Sequence, residues 1–557
     1  MNGALTPPSQ SPSPYYVLKD LCSDNIEYFK EDQSEGGQKL YVTLISIFNS
    51  LDPLICSVDD ILSKASKYDF DPSLPANGYR SFVFIVEKIV QHSIKVCQQI
   101  VSNRSSYFFR KGSYARELDD CYEVISSLSK LLSCLQKLMS WNTSGGLFPT
   151  DHHLLEELLV TGGVSINQYC FYGRHLGFQF CESIAIILKA LAILMASFSE
   201  VYYGGNRIMD SLWNGGKYLI DTELRAKRIV NISQYASAEF CKTFWFLGEM
   251  ELMQRLPNFV SASLVVNKLI TIEPEPFSLT SLSGQIIDIP IPSAHKGHAP
   301  LSVRLLSSVR RFGMLNETDG KEGIKMASKG LIFHCHGGGF VAQSSRSHET
   351  YLRQWASKID CPILSVDYSL APEAPYPRAL EEVFFAYCWT ISNAHILGST
   401  AERIILAGDS AGANLNIGLT MKCIEYGIRL PDGLFLAYAP VVLSFAPSPS
   451  RTLCLLDPLL PFGFLLNCSK AYACPPDIYT SSPSHEDKLR RNINKQERNK
   501  CDISLPQNGG EVGNASEDFT GIFVLFKIRL SEKYNIYIVV ILFTSMYTIL
   551  LSSSTST

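Results

Sequence analysis

The stretch ILAGDSAGANL (405–415) contains Gly408-Asp409-Ser410-Ala411-Gly412, a G-x-S-x-G pattern. That spacing sets a serine on a sharp turn between a strand and a helix, where its hydroxyl is presented to attack an acyl carbonyl. A second glycine-rich stretch, His336-Gly337-Gly338-Gly339-Phe340, follows the apolar run Leu331-Ile332-Phe333, and His336 lies 74 residues before Ser410. Glycine lets a backbone approach a substrate oxygen closely and take up positive φ, which a Cβ hinders. The N–H groups of Gly338, Gly339 and Ala411 are therefore the expected oxyanion donors. His336 is expected to brace the loop, and Gly337 and Asp409 to support the two motifs. Such donors act on charge that exists only in the tetrahedral intermediate, and losing one typically costs about 10² to 10³ in rate.

A serine hydroxyl at neutral pH needs a base. In the α/β-hydrolase fold, which uses this turn, the acid and the histidine come later in the chain, in the order Ser, Asp/Glu, His. Downstream of Ser410 only His485 is available. Asp457 precedes it by 28 residues but follows Ser410 by only 47, too soon for two further strand–helix units. His485 itself sits in the polar SPSHEDK with no strand ahead of it. The pair reads as a turn aspartate before proline and an exposed linker histidine. Upstream, His348 and His395 fall on predicted helices and His334 on the strand feeding the glycine loop, positions of ordinary core or surface histidines.

The elements that must position Ser410 change character along the chain. From about residue 16 to 275, apolar residues recur three and four apart, as in SFVFIVEKIVQHSIKVCQQIV (81–101) and DDCYEVISSLSKLLSCLQKLM (119–139), which predicts helices. The most apolar of these stretches, SIAIILKALAILMASF (183–198), is shorter than a bilayer requires and carries Lys189, so it reads as a buried core helix. After about 290, the short apolar runs in GLIFHCHGGGF, CPILSVDYSLAPEAPYP, ERIILAGDSAG and DGLFLAYAP alternate with helical stretches. That alternation predicts a parallel sheet with helices on its faces and function at the carboxyl ends of its strands.

With 46% hydrophobic and 18% charged residues the chain is globular in composition, and a net charge of −4 gives no basic face for nucleic acid. The polar, proline-rich start MNGALTPPSQSPSPYY lacks a secretory signal pattern, so a cytosolic protein is expected, with sequons such as Asn316-Glu317-Thr318 unused. Sixteen cysteines without C-x-x-C pairs or a Cys/His grid predict reduced thiols rather than a zinc site or disulfides.

From about 480 to 520 the sequence is polar and charged and reads as a linker. YNIYIVVILFTSMYTILL (534–551) then runs without a charge, behind Lys527, Arg529 and Lys533. Two readings stay open for it: a membrane anchor, or a β-prone, aggregation-liable tail outside any fold. The expected division is 1–15 disordered, 16–290 helical, 291–475 a partial catalytic domain, 476–520 linker and 521–557 hydrophobic tail.

The residues FHCHGGGFVAQSS (333–345), VDYSLAPEAPYPRALEE (366–382), GDSAGANL (408–415) and FYGRHLGFQF (171–180) resemble the hormone-sensitive lipase family, in its animal type with a large helical domain. The resemblance covers roughly residues 16 to 475. It implies an α/β-hydrolase fold preceded by an α-helical N-terminal domain, with no metal or cofactor. It further implies hydrolysis of acylglycerols and sterol esters in the cytosol and at lipid-droplet surfaces, with Ser410 as nucleophile. Tyr368 and Pro372 fall in a family segment that shapes the site. The match continues through SRTLCLLDPLLPFGFLLNCSKAYA (450–473), which resembles the start of a regulatory insertion, and then stops, so an incomplete parallel sheet lacking the triad Asp and His, with an exposed apolar edge, is expected. Two outcomes follow: a serine esterase impaired by the missing triad members, or an inactive truncated isoform or erroneous gene model acting at most as a binding or docking protein. A helical docking module held by the tail at a membrane is a third.

Overall fold

The computed structural model describes residues 13–69, 71–73, 75–142, 149, 167–204, 216–247, 263–316, 323–441, 447–457, 460, 462–473, 526–531 and 534–541. They fall into two compact units, one of residues 1–233 with 444–462, the other of residues 234–443 with 463–557.

The first unit is helical. Its helices are α1 (Pro14–Phe29), α2 (Glu35–Ala65), α3 (Gly78–Asn103), α4 (Lys111–Trp141), α5 (Glu182–Gly204) and most of α6 (Thr222–Tyr235). The Ser34 hydroxyl accepts the N–H of Gly37 at the start of α2, and Asn77 accepts those of Tyr79 and Arg80 at the start of α3, so donors otherwise left orphaned are satisfied. In α3 the buried residues Phe82, Val86, Ile89, Val90, Val96, Cys97 and Ile100 follow the helical period, and in α4 so do Leu118, Cys121, Ile125, Leu128, Leu132 and Leu135. The stretch expected as a core helix is α5, whose Ile184, Leu188, Ala192 and Met195 are buried while Ile186 and Leu194 are exposed. By length and composition alone, Ile184–Tyr203 and Glu35–Tyr68 are apolar enough to cross a membrane. A buried face on each is equally the mark of a core helix.

The second unit is built on strands β1 (Val266–Ile272), β2 (Ser278–Thr280), β3 (Ile286–Asp288), β4 (Leu301–Ser307), β5 (Ser328–Cys335), β6 (Ile363–Asp367), β7 (Ser399–Asp409), β8 (Gly433–Ala437), β9 (Phe526–Ser531) and β10 (Tyr534–Ile541). Eight of them form one sheet in the order β1-β4-β6-β5-β7-β8-β10-β9, and β2 and β3 form a hairpin apart. β6, β5, β7, β8 and β10 are parallel, while β1, β4 and β9 pair antiparallel, so the expected parallel sheet is the core of a mixed one. The helices of this unit are α7 (Ala238–Phe246), α8 (Glu349–Ile359), α9 (Arg378–Asn393), α10 (Ala411–Glu425) and α11 (Phe462–Ala473). Ile332 joins Leu352 and Ala356 of α8 in one core cluster, while its neighbour Phe333 meets Tyr387 of α9 edge to face. Adjacent residues of β5 thus pack against different helices, which is why the strand reads as a continuous apolar run rather than an alternating one.

Of the two readings left open for the tail, the β-prone one matches 534–541, but this stretch is not outside the fold: Tyr537–Ile541 pairs in parallel with Gly433–Ala437, and β9 pairs beyond it. The edge of β8 that was expected to lie bare is therefore hydrogen-bonded. A β-branched, charge-free run matches what an open edge accepts. Residues 542–551 lie outside the described residues.

Candidate active site

β7 ends at Asp409 and α10 begins at Ala411, so Ser410 makes the whole turn. Its φ of 49° and ψ of −119° lie in a region that non-glycine residues rarely occupy. The turn is held from the neighbouring strand by Ser410 N–H donating to Ala437 O at 2.9 Å and by the Asn414 side chain donating to Pro440 O at 2.8 Å. The flanking glycines have steric causes. A Cβ on Gly412 would sit 2.0 Å from the Cys335 carbonyl oxygen, and one on Gly408 would sit 2.8 Å from the same atom. The elbow thus presses against the end of β5 with no room for a side chain.

The register that places Cys335 opposite Gly408 also brings the glycine loop alongside the elbow. Gly338 takes φ +111° and Gly339 φ +61°, and a Cβ on Gly338 would meet Ala342 O at 2.1 Å. Gly337 N–H donates to Asp409 Oδ1 at 3.1 Å and lies 3.2 Å from His348 Nε2. By contrast, no acceptor among the described residues engages the N–H groups of Gly338, Gly339 or Ala411. Those are the three N–H groups expected as oxyanion donors.

His336 is fully enclosed. Its ring stacks on Tyr368 at 4.2 Å, with the planes 9° apart, and Nδ1 donates to Gly337 O at 2.7 Å. Burial, and next the neighbouring His348, lower its pKa to about 3. The ring is neutral, and Nε2 has no partner among the described residues. Its contacts are with the loop and Tyr368. Tyr368 donates its hydroxyl to His336 O at 2.7 Å, and Ala371 N–H donates to Phe340 O at 2.9 Å. The YSLAPE segment therefore supports the loop from below; Pro372 follows a cis peptide within it.

Behind the elbow lies an arrangement that sequence spacing did not disclose. Asp409 points away from the serine into a buried pocket, where its carboxylate meets His348 Nε2 at 3.2 Å, Tyr351 Oη at 3.2 Å, Tyr438 Oη at 3.3 Å and Gly337 N–H. Burial alone would raise the Asp409 pKa, but the imidazoles of His348, then His334 and His336, together outweigh it and hold the carboxyl well below its usual range. His348, expected as an ordinary helix histidine, stands at the N-cap of α8 with Nδ1 facing Ser344 O at 3.1 Å. A separation of 61 residues from Asp409 carries no signal in a single sequence.

Above the glycine loop sits an apolar shelf. A Cβ on Gly339 would meet Cys468 at 3.3 Å and the Trp245 ring at 3.5 Å. Phe464 packs edge to face against Phe240 and Trp245, and Phe340 stacks on Tyr472 at 3.8 Å. α7 and α11 are thereby joined, with Asn467 bonded to Ala236 O.

Among the described residues no imidazole is hydrogen-bonded to Ser410. Asp457 belongs to the helical unit, where its Oδ1 accepts Leu460 N–H at 3.1 Å and its carbonyl accepts from Tyr172 at 3.3 Å. His485 lies outside the described residues.

Residues 14–315 match the family model "Hormone-sensitive lipase (HSL) N-terminus", and residues 332–488 match an alpha/beta hydrolase fold model. The chain is 40% identical over 478 residues to the hormone-sensitive lipase of Homo sapiens, covering 82% of this chain and 44% of that protein. Against the hormone-sensitive lipase of Ictidomys tridecemlineatus it is 40% identical over 478 residues, covering 82% and 63%. That of Mus musculus is 39% identical over 477 residues, with the same coverage. The chain thus spans 44% to 63% of the length of these relatives.

Proposed function

From the premise that this chain belongs to the hormone-sensitive lipase family, we propose that it is built for serine-mediated cleavage of carboxylic esters with apolar acyl groups, acylglycerols and sterol esters being the substrate class. The observation that carries this reading is the Ser410 elbow beside three uncommitted N–H groups, those of Gly338, Gly339 and Ala411. In this mechanism Ser410 Oγ attacks the ester carbonyl while the glycine loop and Ala411 hold the oxyanion. The alcohol leaves and water releases the acid from the acyl-enzyme. The aromatic shelf over Gly339, made by Trp245, Phe464, Phe340 and Tyr472, supplies an apolar wall for the acyl chain, and a lipid-droplet surface is the setting such a substrate implies.

The proton transfer limits this chain. With no imidazole bonded to Ser410 among the described residues, and Asp457 engaged in the helical unit, the reading is of a hydrolase fold of low turnover. Loss of a triad member typically costs about 10⁴ to 10⁶ in rate, while an oxyanion hole and binding alone retain roughly 10³ to 10⁴ over water. An inactive docking protein is the second reading, favoured by the same observation. Turnover of a short-chain acyl ester by the purified chain, against Ser410→Ala, separates them. A rate above the variant supports ester cleavage at Ser410; equal rates remove it.

A further inference from the structure

Three side chains of the helical unit, none with a part in ester cleavage, converge from separate stretches: His92 on α3, Cys121 on α4 and His175 in FYGRHLGFQF (171–180). One ligand atom from each lies within 4.8 Å of the other two. Cys121 Sγ stands 3.6 Å from His175 Nε2, and the two imidazoles meet edge to face with centroids 4.9 Å apart. A tetrahedral zinc ion, with bonds of about 2.0–2.1 Å to nitrogen and about 2.3 Å to sulfur, sets its N and S ligands roughly 3.5 Å apart. The Cys121–His175 edge already has that length, so only His92 must swing inward, and its half-exposed ring has the room.

We propose that His92, Cys121 and His175 bind a structural Zn²⁺ that clamps the 171–180 segment onto α3 and α4. The fourth ligand is the Glu117 carboxylate, whose Oε1 is 3.3 Å from His92 Nε2. His92 and Glu117 also line a cavity of about 360 Å³, which gives the ion a way in. One feature resembles the outer shell of a metal site. Arg174 pairs with both Glu117 and Asp120, at 3.4 and 2.7 Å, steadying the carboxylate. On loading, the Cys121 S–H proton passes to solvent and a Zn–thiolate bond forms. Intervals of 29 and 54 residues between the ligands kept the cluster out of sight in a reading that looked for closely spaced cysteines.

The test is titration of the full, metal-stripped chain with Co²⁺ as the spectroscopic probe, followed by displacement with Zn²⁺. The expected result is a thiolate-to-cobalt charge-transfer band with tetrahedral d–d bands in the unmodified chain. Both are lost in Cys121→Ser, and affinity falls about tenfold or more in Glu117→Gln. His92→Gln, at a half-exposed position that leaves folding intact, is expected to weaken the d–d bands, and Zn²⁺ is expected to raise the thermal midpoint of the unmodified chain more than that of any variant. Absence of the charge-transfer band, its persistence in Cys121→Ser, or unchanged binding in His92→Gln would overturn the proposal.

Discussion

Asp409 and Gly337, 72 residues apart, are joined by a 3.1 Å hydrogen bond from the glycine's N–H to the carboxylate. The residue before the elbow serine thereby holds the first glycine of the loop that faces it. The same carboxylate takes His348, so elbow, loop and α8 share one buried anchor. A Cβ on Gly337 would lie 2.3 Å from Asp409 Oδ2, which explains why that corner accepts glycine.

Asp409→Asn keeps the shape but removes the charge opposite His348. Breaking one side of a buried pair costs about 3–5 kcal/mol. Chemical denaturation is expected to show a loss of that order, with ester turnover falling alongside. A loss under about 1 kcal/mol would mean that the carboxylate is not the anchor.

Gly412→Ala and Gly427→Ala make a matched comparison. The first puts a methyl 2.0 Å from Cys335 O, whereas Gly427, at φ +62°, has nothing within 4 Å. Gly427→Ala should cost only the left-handed backbone penalty of about 1–2 kcal/mol. Gly412→Ala should cost more, because the elbow must shift away from β5. Equal effects in thermal unfolding would contradict the close approach.

Tyr368→Phe retains the stack on His336 and deletes only the hydroxyl that donates to His336 O at 2.7 Å. Leaving a buried carbonyl without its donor costs about 1–3 kcal/mol. Urea unfolding midpoints should register this with the slope unchanged.

Acid sensitivity follows from the buried imidazoles. In the metal-free chain His336 and His175 titrate at about 3 and about 4 when folded, against about 6.5 when unfolded. The unfolded state therefore binds more protons in that interval. Their stability is fully present above about pH 6.5 and is lost as pH falls toward the folded values, by up to about 1.4 kcal/mol per pH unit for each group. Asp409, shifted down, acts only below the ordinary carboxylate range of about pH 4. Thermal midpoints measured between pH 7.5 and 4.5 should decline, and His336→Phe should flatten part of that decline.

Motifs that act through neighbouring residues were legible in the sequence. Gly408, Ser410 and Gly412 announced an elbow because each conformation is settled within five residues, and the apolar run before His336 announced β5. The helical unit was legible from period alone, since α3 and α4 bury one stripe each. Contacts set by tertiary meeting were not legible: His348 reaches Asp409 only because α8 lies over the sheet, and Cys121 meets His175 only because the 171–180 segment returns to α4. The β-prone character of 534–541 was one of two readings left open, but its pairing was not legible, because its partner, β8, lies about a hundred residues away and pairing with a distant edge leaves no local trace.

β7, β8 and β10 run in step, so Asp409, Ala437 and Ile541 stand abreast across the sheet. The backbone leaves each of these strands at one common rim, and Ser410 is the first residue over it from β7. A loop carrying histidine, grafted directly after Ile541, would start its course two strands from that hydroxyl, with the scaffold beneath left intact.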